Sequence, residues 1–190
     1  MAKLVLSMFI SLDGYIEGPN GQFVGPAWSD DLSRHWSGHA MEHAGHFVYG
    51  RKNFLFNKGF WSAAETDPTS PAAGISYAAQ MNRTPKTVIS STLVGDPGWN
   101  GTVVKDDIAG AINRLKATEA KDLFSFGGAG VANTLIKLDL VDEYRLMITP
   151  NLFGDGKRLF EPGLPAIDLT LVETLPLDTG AVILRYRRDR

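Results

Sequence analysis

Asp122-Leu-Phe-Ser-Phe-Gly-Gly-Ala-Gly-Val-Ala-Asn-Thr-Leu-Ile-Lys-Leu138 is the stretch whose pattern organises the chain. The apolar run Leu123 to Phe126 predicts a short buried strand. Gly127, Gly128 and Gly130 make a turn, and Val131, Leu135 and Leu138 recur at helical spacing beyond it. A strand that enters a helix through glycines leaves backbone N–H groups facing outward at the positive end of the helix dipole, a setting that suits a phosphate. Glycine is needed because a Cβ would block both the tight bend and the close approach of a ligand. The pattern stops short of the full dinucleotide fingerprint, since Ala132 and Asn133 stand where its third glycine belongs. Taken alone, the bend reads as an ordinary strand-to-helix connection, and it gains weight only from the rest of the chain.

The same grammar recurs along the chain. Lys3 to Ile10 is a near-continuous apolar run, as for a strand covered on both faces, and Ser11-Leu-Asp-Gly14 ends it as a turn. Tyr15 to Pro26 is rich in Gly and Pro and reads as a loop. Ser29 is an N-cap for a helix with Asp30 and Asp31 in its first turn and Leu32, Trp36 and Ala40 on one face, stopped near Gly45. His46 to Tyr49 predicts a second strand, and Gly50-Arg-Lys-Asn-Phe54 a second strand–glycine–helix junction with two cations beside it. Ser62 to Pro85 is a loop with one short helix over 75–82. Lys86 to Ser91 is a strand that ends in the hydroxyls of Ser90 and Ser91, and Thr102 to Val104 another. Asp106 to Ala117 is an amphipathic helix, Val141 to Thr149 a strand, and Pro150 to Phe160 a loop. Leu169 to Thr174 and Ala181 to Tyr186 are two last strands around Gly180.

Strands alternating with helices predict an α/β fold in three layers: a mostly parallel central sheet with helices on both faces and antiparallel C-terminal strands. The 190 residues suit one domain over 1–190. Ligands of such sheets collect beyond the carboxyl ends of the strands, where Ser11 to Gly14, Gly50 to Lys52, Ser90 to Thr92 and Gly127 to Gly130 all fall. Net charge is only -2, which argues against a broad nucleic-acid surface; the basic tail Arg185 to Arg190 reads as a terminus blunted by charge. There are no cysteines, so thiolate chemistry and disulfides are excluded. No stretch reaches membrane-spanning length and no signal peptide is apparent, so a cytoplasmic protein without membrane contact is expected.

Taken together, these fragments resemble the dihydrofolate reductase-like fold, and more closely the reductase domain of the riboflavin-pathway deaminase–reductase and its stand-alone relatives. The residues that carry the resemblance are Ser11 to Gly14, Gly50-Arg51, Pro85-Lys86, Ser90-Ser-Thr-Leu93, Trp99, Leu115-Lys116, Gly127-Gly128, Leu140 to Arg145 and Pro150 to Phe160, in that order along nearly the whole chain. The resemblance implies NADPH as cofactor and hydride transfer to a small pteridine- or pyrimidine-like heterocycle. Gly127, Gly128, Ala129, Gly130 and Val131, with Gly50, would then offer two helix N-termini to its phosphates. Arg51 is suited to a bidentate phosphate pair, with Lys52 beside it, although both also read as a solvated surface pair. Ser90 and Ser91 would meet the adenosine side. The family joins its paired glycines by a cis peptide, which here would be Gly127–Gly128.

For catalysis, dihydrofolate reductases use a carboxylate on the first long helix, and Asp31 is the match; a first-turn acid that offsets the helix dipole is the competing reading. Asp13 borders the substrate pocket in the relatives, or caps its own turn. Met8, Trp28 and Phe54 would wall the substrate ring, with Phe9 and Tyr15 nearby, unless these apolar residues are core. Glu143 reads as a structural ion-pair or interface residue. His35, His39 and His43 recur every four residues with His46 beyond; exposed or rim positions fit them better than a zinc site, so no metal is expected. A homodimer is implied by the relatives, paired through the C-terminal strands and the segment Asp142 to Met147. The same fold holding NADPH or a pterin-like ligand without turnover is the alternative function.

Overall fold

The computed structural model describes residues 1–23 and 25–189; Val24, in the glycine-rich loop, and Arg190, the last cation of the basic tail, lie outside them. The sheet forms from β1 (Leu4–Ser11), β3 (Ala44–Gly50), β4 (Lys86–Ile89), β5 (Gly101–Val104), β6 (Asp122–Ser125), β7 (Glu143–Thr149), β9 (Leu169–Pro176) and β10 (Val182–Arg188), in the order β5-β4-β3-β6-β1-β7-β10-β9. The six strands from β5 to β7 pair in parallel, and β10 runs antiparallel to both β7 and β9. A mostly parallel sheet with antiparallel C-terminal strands is therefore what the chain builds.

Side-chain alternation sorts β1 between two layers. Leu4, Leu6, Met8 and Ile10 pack under α5 (Ile108–Thr118) and α6 (Ala129–Lys137), against Ile112, Val131, Leu135 and Ile136. Val5 faces the opposite layer, with Phe47, Tyr49, Val88 and Phe124. That layer is covered by α2 (His39–His43), α3 (Arg51–Trp61) and α4 (Ala78–Arg83) through Met41, Phe54, Trp61 and Met81. α1 (Asp30–Leu32) is capped by Ser29, whose hydroxyl accepts the Leu32 N–H at 3.1 Å. It continues through a π-helical turn, Ser33–Gly38, into α2. Leu32, Trp36 and Ala40 are buried as their spacing requires.

Several sequence expectations need correction. Gly45 does not stop the helix but lies inside β3, which starts directly after His43. Two short strands inside the supposed loops, β2 (Tyr15–Glu17) and β8 (Lys157–Arg158), pair with each other in a separate antiparallel sheet. His46 is buried rather than on the rim, held by Thr87 Oγ1 at 2.9 Å and Glu119 at 3.3 Å. The 142–147 segment is largely β7, which is paired on both sides and has no free edge.

Two of the buried charges, Lys86 and Glu143, find their partners close by. Lys86 is fully buried and donates to the carbonyls of Met81 (2.7 Å), Thr84 (2.5 Å) and Asn82 (3.2 Å), tying the end of α4 to β4 where a cation suits the helix dipole. Burial holds its pKa down at about 8. Glu143 pairs with Arg185 (3.2 Å) and Lys3 (3.5 Å), and Arg188 pairs with Asp139 (2.7 Å). These cations of the tail are thus structural.

Candidate cofactor and substrate site

Strands β4, β3 and β6 are neighbours, so Ser90, Gly50 and Gly127 lie side by side at one sheet edge, across roughly 10 Å for two strand spacings. The Gly50 N–H meets the Gly127 carbonyl at 3.5 Å. Asn53 Nδ2 donates to the carbonyls of Phe126 (2.8 Å) and Gly127 (3.3 Å), locking the first turn of α3 to the glycine bend. From this point α3 departs over one face of the sheet and α6 over the other. That divergence is the topological switch point at which open α/β sheets bind ligands.

Among the described residues no side chain caps the N-terminus of α3 or of α6. At Gly50 a Cβ would meet Val131 Cγ2 at 2.9 Å, so glycine there lets the two helix starts approach. Gly127 has φ +87° and lies under the Met8 side chain, whereas a Cβ at Gly128 or Gly130 would meet open space. Ala129 and Val131 are buried. The bend is made without the expected cis bond: there is no cis peptide among the described residues, and the positive φ of Gly127 turns the chain instead. Ser90 Oγ is used in the turn, accepting the N–H groups of Thr92 (3.2 Å) and Leu93 (3.0 Å), while Ser91, Arg51 and Lys52 are exposed at the same edge.

Beside these junctions, on the face covered by α2 and α3, opens a cavity of about 480 Å³. Its inner wall is apolar and buried: Met8, Trp36, Ala40, Met41, Trp61 and Met81. Its mouth carries large apolar side chains left in solvent, Phe23, Trp28 and Phe56, the kind of exposed apolar patch that marks a binding site. The charged lining residues are Glu17, Lys52 and Lys157, all exposed. Phe9 stacks on Trp36 at 4.9 Å, and the Arg145 guanidinium lies 4.5 Å from the same indole. Asn57 ties Trp61 to Asn53 by accepting from the indole at 3.3 Å and donating to Asn53 Oδ1 at 2.9 Å.

Of the residues expected to wall a ring, Met8 and Trp28 line this cavity. Phe54 does not: it is fully buried against Tyr49 and Trp99, because its position on α3 faces the sheet. The residues that α3 does present, Phe56 and Trp61, were not singled out from sequence; the signal was an apolar residue, Phe56, on a face otherwise polar.

The two candidate carboxylates are engaged elsewhere. Asp31 accepts the Asp178 N–H at 3.1 Å and sits 3.5 Å from His35, bracing the turn between β9 and β10, and it is not among the cavity-lining residues. Asp13 accepts from the Ser11 hydroxyl (2.6 Å) and from the N–H groups of Phe153 (3.1 Å) and Gly154 (2.7 Å). The Ser11 hydroxyl, with those amides, holds its carboxyl below the usual range, the opposite of what a proton donor needs. Among the described residues no three His, Cys, Asp or Glu side chains are grouped to hold a metal ion.

Residues 2–183 match the RibD C-terminal domain. The chain belongs to that family. The chain is 29% identical over 184 residues to the uncharacterized protein YyaP of Bacillus subtilis (strain 168), a match covering 97% of this chain and 94% of that protein. A putative riboflavin biosynthesis protein from Shewanella sp. PV-4 has the same fold, with a TM-score of 0.73 at 23% identity and full coverage of both chains. A pyrimidine reductase-like protein from Corynebacterium diphtheriae gives a TM-score of 0.67 at 16% identity, covering 100% of this chain and 92% of the other. The diaminohydroxyphosphoribosylaminopyrimidine deaminase/5-amino-6-(5-phosphoribosylamino)uracil reductase from Thermotoga maritima gives 0.68 at 14% identity; 99% of this chain spans 57% of that one. The fold is thus the RibD reductase, dihydrofolate reductase-like fold, and no helix among the described residues is long and apolar enough to cross a membrane.

Proposed function

We propose that this protein is a cytoplasmic, NADPH-dependent reductase that transfers a hydride to a small pteridine- or pyrimidine-like heterocycle. The observation that carries the reading is the junction of two uncapped, glycine-opened helix starts, tied together through Asn53, beside an aromatic-lined cavity. The reductase named among its structural neighbours supports the choice of a pyrimidine-type acceptor. The residues fit the cofactor: Gly128 and Gly130 front open space, where a phosphate would approach the first turn of α6, and Arg51 and Ser91 stand exposed along the same edge. When bound there, NADPH supplies the hydride. The chain's own part is to hold the phosphates at Gly128 to Val131 and Arg51, and to exclude water from the ring behind Trp36 and Trp61.

The test is NADPH oxidation followed by absorbance with dihydrofolate and with a 5-amino-6-ribosylaminouracil-type acceptor. Oxidation that depends on the acceptor is the expected result. NADPH binding without oxidation would favour the second reading, a binding protein without turnover, which the engagement of Asp13 and Asp31 in hydrogen bonds outside the cavity lining supports. Absence of NADPH binding overturns both.

We also propose a homodimer. Among the described residues strand β9 ends the sheet with one edge unpaired, and Leu169, Leu171 and Val172 on it are exposed, a surface that unpartnered edge strands avoid. Light scattering checks the mass, and a monomer at assay concentration rejects the dimer.

A further inference from the structure

The inner wall of the cavity carries one polar feature that the fold does not use. Ser7 projects from β1 on the same face as Phe9 and lines the cavity; it is 2% exposed, and its Oγ has no hydrogen-bond partner among the described residues. A buried hydroxyl left unpaired is destabilising, so one that persists beside a cavity points to an occupant that pairs with it. Its surroundings define that occupant. The wall is aromatic and thioether, which favours a flat ring. Trp36 is fixed between Phe9 and the Arg145 guanidinium and offers such a ring a rigid surface. The ionised lining groups, Glu17, Lys52 and Lys157, stay in water at the mouth, so no charge is available within to pair with a charged ring.

We infer that the cavity selects an uncharged, planar bicyclic ring whose polar edge hydrogen-bonds Ser7 Oγ, with any anionic substituent directed outward to Lys52 and Lys157. This deepens the reductase reading by naming the class of ring that would accept the hydride, and it makes Ser7 the residue that distinguishes a polar ring edge from a hydrocarbon one. The cavity volume, about 480 Å³, falls inside the roughly 300–1,000 Å³ of small-molecule sites.

Calorimetric titration of wild type and Ser7→Ala, without cofactor, tests the assignment with two probes. Lumazine is an uncharged bicycle with a polar edge; naphthalene-2-sulfonate has a hydrocarbon ring and an anionic tail for the mouth. Ser7→Ala is expected to bind lumazine about tenfold more weakly, the size of one hydrogen bond lost without replacement, and naphthalene-2-sulfonate as the wild type does. Unchanged sulfonate binding shows that the variant retains a folded cavity. Equal lumazine affinity in both proteins, or no binding of lumazine to the wild type, overturns the inference. A parallel NADPH titration separates the two readings, because failure there leaves the lumazine result standing.

Discussion

The Asn53 carboxamide donates to the Phe126 carbonyl at 2.8 Å, joining the first turn of α3 to the residue that precedes the glycine bend of α6. One side chain thereby sets the spacing between the two helix starts. Asn53→Ala leaves the carbonyls of Phe126 and Gly127 without that donor and frees Asn57 from its Asn53 Oδ1 acceptor. A loss of about 1–2 kcal/mol in denaturant unfolding is expected, together with several-fold weaker NADPH binding in a fluorescence titration.

Gly130 allows stability and binding to be separated. It lies in the first turn of α6, exposed, and a Cβ there meets nothing within 4 Å. Gly130→Ala is expected to raise unfolding stability by about 0.5–1 kcal/mol through reduced freedom of the unfolded chain, yet to weaken NADPH by placing a methyl group where the phosphate approaches. A rise in affinity alongside the rise in stability would remove this turn from the cofactor site.

Arg51 is exposed at the same edge, where the proposed cofactor would present the additional phosphate that distinguishes NADPH from NADH. Arg51→Ala is expected to weaken NADPH about tenfold and leave NADH unchanged, as measured by parallel titrations. An equal loss for both cofactors would assign Arg51 to the bridging phosphates instead.

Asp31 and Asp13 are expected to behave as structural acids. Asp31→Asn should leave reductase turnover within twofold of wild type and lower the melting temperature slightly, since Asp31 accepts the Asp178 N–H of the β9–β10 turn. Asp13→Ala should lower the melting temperature by releasing the 153–154 turn. Because the folded state holds the Asp13 carboxyl below its ordinary value of 3.8, its contribution is fully present above that pH and is lost as pH falls through the lower folded value.

Histidine sets a second pH response. Burial, reinforced by Arg145, His43 and Arg185, pushes His39 down to about 3 from 6.5. The folded chain then binds fewer protons than the unfolded chain between those values, so stability is fully present above about pH 6.5 and declines with acidification below it. Denaturation from pH 7 to pH 5 should show that decline, and His39→Gln should flatten it.

Much of the architecture was legible because its signals are local. The apolar run of β1, the Ser29 cap, the helical spacing of Leu32, Trp36 and Ala40, and the glycines after β3 and β6 each dictate their element within a few residues of sequence. What escaped depends on distant partners. β2 and β8 are three and two residues long and exist only because Tyr15 pairs with Arg158 across the whole fold. Phe54 and Phe56 are two residues apart on α3, and composition cannot say which one the helix turns toward the sheet. The π-helical turn at Ser33–Gly38 shifts the angular positions after Leu32, and the Asp178 N–H that engages Asp31 lies 147 residues away.

Three of the four tryptophans in the chain, Trp28, Trp36 and Trp61, surround the cavity, while Trp99 packs apart from it against Tyr49 and Phe54. The molecule therefore carries its own optical reporter. Occupancy alters the emission of the first three indoles and leaves the fourth as an internal reference, so a screen for the natural occupant can begin with unlabelled protein and ultraviolet light.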